Sequence, residues 1–273
     1  MQTLVVINGE QDWPGYFPGC TVHYRRLQTS RWLYHNGQLW VFDVAGSVRV
    51  DAVLWRVGAI RPHPGHRTVL ELIRHARVPC INSAAVLLRG YDRLSMLNEL
   101  REAGLPVAEM TVALGEGLLD RFEPGLPAVV KVGNYHGGYG KARPRDAEEW
   151  ADVKDLTFAT EDYVTVEPYV AYARDIRCLA VGERMWAMAR RGRFWKANTD
   201  TKHHGMVALP DTLHDYTARA MEHIHADVLG LDFLETADGD YILLESNDTP
   251  GLAGFPEEAR IAVAAVMRRK MEI

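Results

Sequence analysis

The sequence predicts an α/β protein: an open, mostly parallel N-terminal sheet, then an α+β part built from antiparallel strands. Three observations carry this. Up to about residue 88, short β-branched and aromatic runs alternate with a helix-length periodic segment, the strand–helix–strand order of a parallel sheet. Beyond it, apolar runs come in pairs around tight turn signals at Gly182-Glu183 and Asp238-Gly239, as antiparallel hairpins do. The 273 residues, 47% apolar and 25% charged, are an ordinary globular balance, long enough to bury a large core without disulfide or metal staples.

The elements follow in order. Leu4–Ile7 reads as a short buried strand and Gly9–Gly15 as a loop. Leu39–Asp43 and Ala52–Val57 are strands bounded by turn residues. Leu70–Ala76 has helical periodicity and Val78-Pro79 stops it, so Cys80-Ile81-Asn82 is a strand behind a helix. Asp92–Ala103 is a helix with Asp92 as its N-cap and Gly104 past its end. Glu109–Leu114, Ala128–Val132 and Tyr163–Glu167 are strands, the last stopped by Pro168. Asp175–Val181 and Arg184–Arg190 form a hairpin. Thr212–Leu229 reads as one long helix, with Leu213, Tyr216, Ala220, Ile224 and Val228 near helical spacing. Leu231–Leu234 and Tyr241–Glu245 pair, and a helix from about Glu257 closes the chain.

Composition excludes several classes. The net charge of −5, without a basic run, argues against a duplex nucleic-acid binder. Cys20, Cys80 and Cys178 are odd in number and far apart, which fits a reducing cytoplasm and excludes a zinc ribbon. The N-terminal apolar run lacks a basic flank and ends at Asn8-Gly9, so a strand is expected there rather than a signal peptide. No apolar run reaches 18 residues, so no membrane span is expected.

Three clusters could carry chemistry. The first is a glycine-rich turn, Gly133–Lys141, behind a strand that holds Lys131. It is no Walker loop, because Ala142 stands where Ser or Thr would follow Lys141, and no dinucleotide fingerprint, because the strand–loop–helix context is absent. A flexible hairpin tip is the plain alternative. An unpaired ammonium inside a strand is costly to bury, however, and a phosphate beneath glycine amides, Lys131 and Lys141 would account for it. The second cluster is acidic. Asp232 and Glu245 could face each other across a hairpin, with Asn247 on the face of Glu245, a set of oxygens suited to magnesium. Ordinary strand-end caps are the alternative. The third is basic: Arg177, Arg190, Arg191, Arg193 and Lys196. Arg190 would be a phosphate clamp and Arg177 a bidentate grip for a substrate carboxylate, while Arg191 and Arg193 read better as a solvated turn. His203-His204 are read as a loop, and His223 and His225 point apart on a helix. The tryptophans read as packing residues, except Trp195 beside Lys196.

Taken in order, these stretches resemble the ATP-grasp superfamily, specifically RimK-type carboxylate–amine ligases and synapsins. The resemblance rests on Val129–Val132 with His136–Lys141, Val166–Val170, Asp175-Ile176-Arg177, Trp195–Asn198, Gly230-Leu231-Asp232 and Leu244–Asn247 before Pro250-Gly251-Leu252. Asp12–Phe17 and Val78–Ser83 are also similar to stretches of synapsin.

The resemblance implies an ATP-grasp fold with a pre-ATP-grasp domain over 1–88, a central subdomain with the lid over 89–170, and a magnesium-bearing subdomain over 171–273. It implies ATP as cofactor with two Mg2+ ions, Mn2+ being a substitute. Lys131 would contact the α-phosphate side, with Arg93 where the family usually has lysine. Tyr135–Lys141, including His136, Gly137, Gly138, Tyr139 and Gly140, would close over the β- and γ-phosphates. Glu167, Pro168, Tyr169 and Val170 would be the linker that reads adenine. Arg190 would touch the transferring phosphoryl group, Asn198 and Lys196 would lie near phosphates or substrate, and Asp232, Glu245 and Asn247 would hold metal. Ala171 stands where synapsins carry an acidic ribose ligand, and synapsins lack the asparagine at Asn247. The implied reaction joins a small-molecule or peptide carboxylate to an amine through an acyl phosphate. A synapsin-like binder without turnover and an ATP-grasp kinase are the competing readings. Relatives imply a homodimer or tetramer.

Overall fold

The computed structural model describes residues 1–58, 63–192, 195–196 and 201–272, without the side chains of 201–203. The strands of the N-terminal third are β1 (Thr3–Ile7), β2 (Thr21–Arg25), β3 (Arg31–His35), β4 (Gln38–Asp43), β5 (Gly46–Arg49) and β6 (Ala52–Trp55). Helix α1 (Pro64–His75), strand β7 (Cys80–Ile81) and helix α2 (Ala84–Arg89) complete it. A parallel sheet in the order β2-β1-β6-β7 forms, as the strand–helix–strand pattern predicts. The 39–43 strand does not join it. Its partners are β3 and β5, in a separate antiparallel sheet built on tight turns at Asn36-Gly37 and before Gly46. Within the Gly9–Gly15 loop a short 3-10 turn begins at Trp13, whose fully buried ring anchors it while Nε1 donates to Glu10 at 2.9 Å.

The central part contains α3 (Arg93–Glu102), β8 (Thr111–Ala113), β9 (Ala128–Val132), β10 (Lys141–Ala142), α4 (Ala147–Thr157) and β11 (Val164–Pro168). Asp92 caps α3 as its position predicts, accepting from the Leu94 and Ser95 amides at 2.9 and 3.2 Å. Helix α4, capped by Asp146, was not among the elements the sequence suggested. Its apolar stripe is thin: Trp150, Val153 and Thr157 are its buried residues. The four strands pair antiparallel in the order β10-β9-β11-β8, with Lys141 opposite Lys131.

The C-terminal part contains β12 (Arg174–Val181), β13 (Arg184–Gly192), β14 (Thr201–Val207), α5 (Asp211–Ile224), β15 (Val228–Glu235), β16 (Tyr241–Asn247) and α6 (Glu257–Met271). They build a five-stranded antiparallel sheet, β14-β13-β12-β15-β16. Two expectations are corrected. The long helix ends at Ile224, where His225 takes a left-handed conformation (φ 57°), and Val228 opens β15 instead of continuing the helix. A strand buried on both faces has no alternation to reveal it, so Val228 passed for a helical position. His203 and His204 lie on β14, paired with Arg191 and Arg190, rather than in a loop.

Helix α6 ties the two ends of the chain together. Its Ala259, Val263 and Met267 share one core with Leu4, Val6 and Leu54 of the parallel sheet and with Leu179 and Val228 of the five-stranded sheet. On the other face of that sheet, Met96, Leu97 and Leu100 of α3 pack with Leu213, Ala220 and Phe233. The site therefore stands on a sheet held from both sides. All three cysteines are free, and no helix among the described residues is long and apolar enough to cross a membrane.

Candidate active site: a nucleotide cleft beside a buried charge network

An apolar slot opens between the two antiparallel sheets. Val129 lines it on one side and Leu234, Ile242 and Leu244 on the other, with Glu167–Val170 along its edge and Lys131 and Lys141 at its inner end. The slot is apolar at one end and cationic at the other, the polarity that a nucleotide's base and phosphates present. Trp195 and Lys196 close its mouth. Arg143 lies over the Tyr169 ring at 4.8 Å and the Trp195 ring at 5.3 Å, joining the linker to the mouth by cation–π contacts. Sequence reasoning missed Arg143; its signal is its place two residues beyond Lys141, on the same face if β10 continues.

Lys131 is not the unpaired cation that its position suggested. It forms a buried ion pair with Glu167 from the neighbouring strand β11. The pair satisfies both charges, so a phosphate is not required to explain the lysine's burial. Lys141 lies among more charges. Burial, with Lys131 and Arg93 adding to it, lowers its ammonium to about 8 despite the opposing pull of Glu245.

The glycine-rich turn is tied down at both ends. Asn134 Oδ1 accepts from the Arg93 amide at 3.0 Å, and the Arg93 guanidinium donates to the Tyr135 carbonyl. Lys196 Nζ donates to the Gly138 carbonyl at 2.9 Å. Between these ties Gly137, Gly138 and Gly140 have φ of 66°, 80° and 62°, where a side chain would be strained, and Tyr139 is exposed. Burial, with Arg93 reinforcing it, lowers the His136 imidazole below its ordinary value.

The acidic cluster assembles as its spacing predicts. Asp232 and Glu245 are direct cross-strand partners, and β16 runs on to Asn247, which pairs with Gly230. A bulge between Asp232 and Phe233 separates this end of the hairpin from its regular part. Asp232 is fully buried and crowded with donors. Arg177 holds it bidentately, Nε to Oδ1 and Nη2 to Oδ2, each at 2.7 Å. Arg190 Nη2 bridges Asp232 and Asp175, both at 2.7 Å, and Asn247 Nδ2 reaches Oδ2 at 3.3 Å. Arg177 is thus committed to Asp232 rather than free to grip a substrate carboxylate. Asp175, quoted in the sequence only as part of a motif, is the second carboxylate of this network.

Glu245 is buried and takes a 3.4 Å contact from Arg93 Nη1. Burial alone would raise its carboxyl, but Lys141, Arg93 and His136 draw it below the usual range. Arg93 is itself 2% exposed, so it acts from inside the core of the site rather than from its surface. Asn198, expected near the phosphates, lies outside the described residues, as do Arg193 and Ala197. Burial raises the neighbouring Asp248 to about 7, against a weaker pull from Arg89.

The class that this fold defines is the ATP-grasp fold: two antiparallel sheets clasp a slot that is apolar at one end and cationic at the other, beside a glycine-rich turn and a pair of buried carboxylates. More particularly, residues 98–272 match the family model of the synapsin ATP-binding domain, and the chain belongs to that family. A probable alpha-L-glutamate ligase of Rhodopirellula baltica is 26% identical over 226 residues, 80% of this chain and 55% of that one. The chain thus spans about half the length of that relative. The glutamate–LysW ligase ArgX of Sulfurisphaera tokodaii is 27% identical over 224 residues, 76% of this chain and 78% of that one. Among solved structures, the ATP-grasp ligase PsnB, complexed with a phosphomimetic variant of its minimal precursor, Mg and ADP, superposes with a TM-score of 0.69. It is 19% identical, and 98% of each chain is covered.

Proposed function

We propose that this protein binds ATP with Mg2+ in the slot and joins a carboxylate to an amine through an acyl phosphate, releasing ADP and phosphate. The observation that carries the reading is the convergence of Asp232, Glu245 and Asn247 beside the cationic end of the slot, under the glycine-rich turn. The donors suit the metal: two carboxylates and an amide oxygen from facing strand positions. Asp232 would exchange its Arg190 hydrogen bond for the ion, which leaves Arg190 beside it as a free cation while Arg177 keeps hold of the carboxylate. Bound Mg2+ would supply charge neutralisation for the phosphates.

Every other part is assigned to the chain itself. Val129, Leu234, Ile242 and Leu244 sandwich adenine, and the backbone of Glu167–Val170 reads its edge. Lys131 and Lys141 face the phosphates, with Glu167 holding Lys131 in place. Arg190 neutralises the phosphoryl group as it transfers, and Arg177 steadies Asp232. Gly137–Gly140 brings backbone amides over the phosphates and keeps water from the acyl phosphate. Lys196 holds this cover through Gly138. Two metal ions, and a homodimer or tetramer, belong to the same reading. So do closure of 89–170 upon 171–273 and a cytoplasmic location.

The test is incubation with ATP, Mg2+, pooled carboxylates and hydroxylamine, following ADP and hydroxamate by mass spectrometry. Hydroxamate that disappears in Asp232→Asn supports the reading. A second reading, nucleotide binding without turnover, is favoured by one observation: both oxygens of Asp232 already accept from arginine. Firm ATP binding with no ADP from any pool would select it.

A further inference from the structure

A second cavity, of about 150 Å³, lies on the far side of the metal-site candidates, where the parallel sheet meets the end of β16. Trp55 and Val57 at the end of β6, Leu70 of α1 and Leu87 of α2 give it apolar walls. His136 from the glycine-rich turn and Asn247 reach into it from the nucleotide side, so a molecule seated here would adjoin the phosphate end of the slot.

Asp248 lines this cavity. Its Oδ2 is pressed so close to Gly90 that a Cβ there would lie 1.6 Å away, and only glycine leaves the carboxylate this place. The Asp248 backbone carbonyl accepts from Asn82 Nδ2 at 2.7 Å, which fixes the residue's backbone. Its side-chain oxygens accept no hydrogen bond among the described residues. The described lining contains no lysine or arginine. An unpartnered carboxylate in an apolar cavity is costly unless a donor arrives to meet it, and a charged donor meets it best.

We propose that this cavity receives the amine substrate, a primary amine on an apolar body without a free carboxylate, with Asp248 anchoring it as the ammonium that gives one proton to solvent before the nitrogen attacks the acyl phosphate and expels phosphate. The proposal rests on the ligase reading and sharpens it. A second carboxylate on the guest would meet the like charge of Asp248, with no lysine or arginine among the described lining residues to offset it. Gly90 is a positioning residue, since it acts only by leaving room for the Asp248 carboxylate.

The experiment is calorimetry on the whole protein saturated with ADP and Mg2+, with three matched guests: 2-phenylethylamine, 2-phenylethanol and L-phenylalanine. The amine should bind about tenfold or more tightly than the alcohol or the amino acid, the scale of one charge-assisted hydrogen bond. Asp248→Asn should bring the amine down to the alcohol. Gly90→Ala, which displaces the carboxylate without removing it, should do the same. The unmodified protein's ranking of the three guests holds even if a variant fails to fold. Tighter binding of L-phenylalanine than of the amine would overturn the proposal. So would an unchanged amine affinity in a folded Asp248→Asn, or no amine binding at millimolar concentration. If ADP itself fails to bind, the nucleotide reading falls and takes this proposal with it.

Discussion

Arg177 and Asp232 stand directly opposite each other on adjacent antiparallel strands and close a two-point ion pair, each contact 2.7 Å long. Arg190 meets the same carboxylate from the next strand but one and carries it to Asp175. Asp232 is therefore both a candidate metal ligand and the hub of a buried network. Those two roles separate in experiment.

Catalysis should depend on the charge of Asp232 and Glu245 more than the fold does. Asp232→Asn or Glu245→Gln is expected to lower ADP release by more than about 100-fold, the scale of losing a key electrostatic stabiliser. Steady-state turnover at saturating Mg2+ measures it. Ordinary turnover in either variant would remove the metal assignment.

The network should be costly to break from its basic side. Arg190→Met removes the buried guanidinium that bridges Asp175 and Asp232 and is expected to destabilise the protein by about 3–5 kcal/mol. The urea midpoint reads the change. A loss below about 1 kcal/mol would mean that water or other donors replace the guanidinium.

The Lys131–Glu167 pair should behave as a unit. Lys131→Met alone leaves Glu167 buried without its cation and is expected to cost stability strongly, whereas Lys131→Met with Glu167→Leu recovers much of the loss. ATP affinity should stay weak in both, because neither restores the cation. Recovered affinity in the double variant would take Lys131 out of the phosphate site.

Glu10 gives the N-terminal region an acid sensitivity. Burial alone would raise its carboxyl, but Arg56, its own backbone amide and the Trp13 indole draw it down to about 2. A depressed carboxyl stabilises the folded state above its ordinary value of 4.5, and that stability is lost as pH falls from there through about 2. Glu10 is partly exposed, so solvent holds the effect to no more than about 1 kcal/mol. Urea midpoints at several pH values should show a shallower acid slope in Glu10→Gln than in the unmodified protein.

Much of the site was legible because it lies on short-range patterns. The hairpin signal at Asp238-Gly239 put Asp232 opposite Glu245, and the period of two put Asn247 on the face of Glu245. The Asp92 cap and the strand holding Lys131 were equally local. What escaped the sequence had no local signature. Helix α4 shows three buried residues in eleven, and β15 is buried on both faces, so neither displays its period. Glu167 gave no sign that it pairs with Lys131, because its neighbour across the sheet is 36 residues away in the chain.

The sequence by itself determined most of the strands, the ATP-grasp resemblance and the juxtaposition of Asp232, Glu245 and Asn247. Only the tertiary structure decided who pairs with whom. It gave Arg177 to Asp232 instead of to a substrate, gave Lys131 to Glu167, and left Asp248 facing a cavity against Gly90. The reason is physical. Periodicity and turn chemistry act over a few residues and leave their mark in composition. The partner of a buried charge is set by strand register and by elements that meet from distant parts of the chain, and desolvation makes each choice consequential without recording it locally.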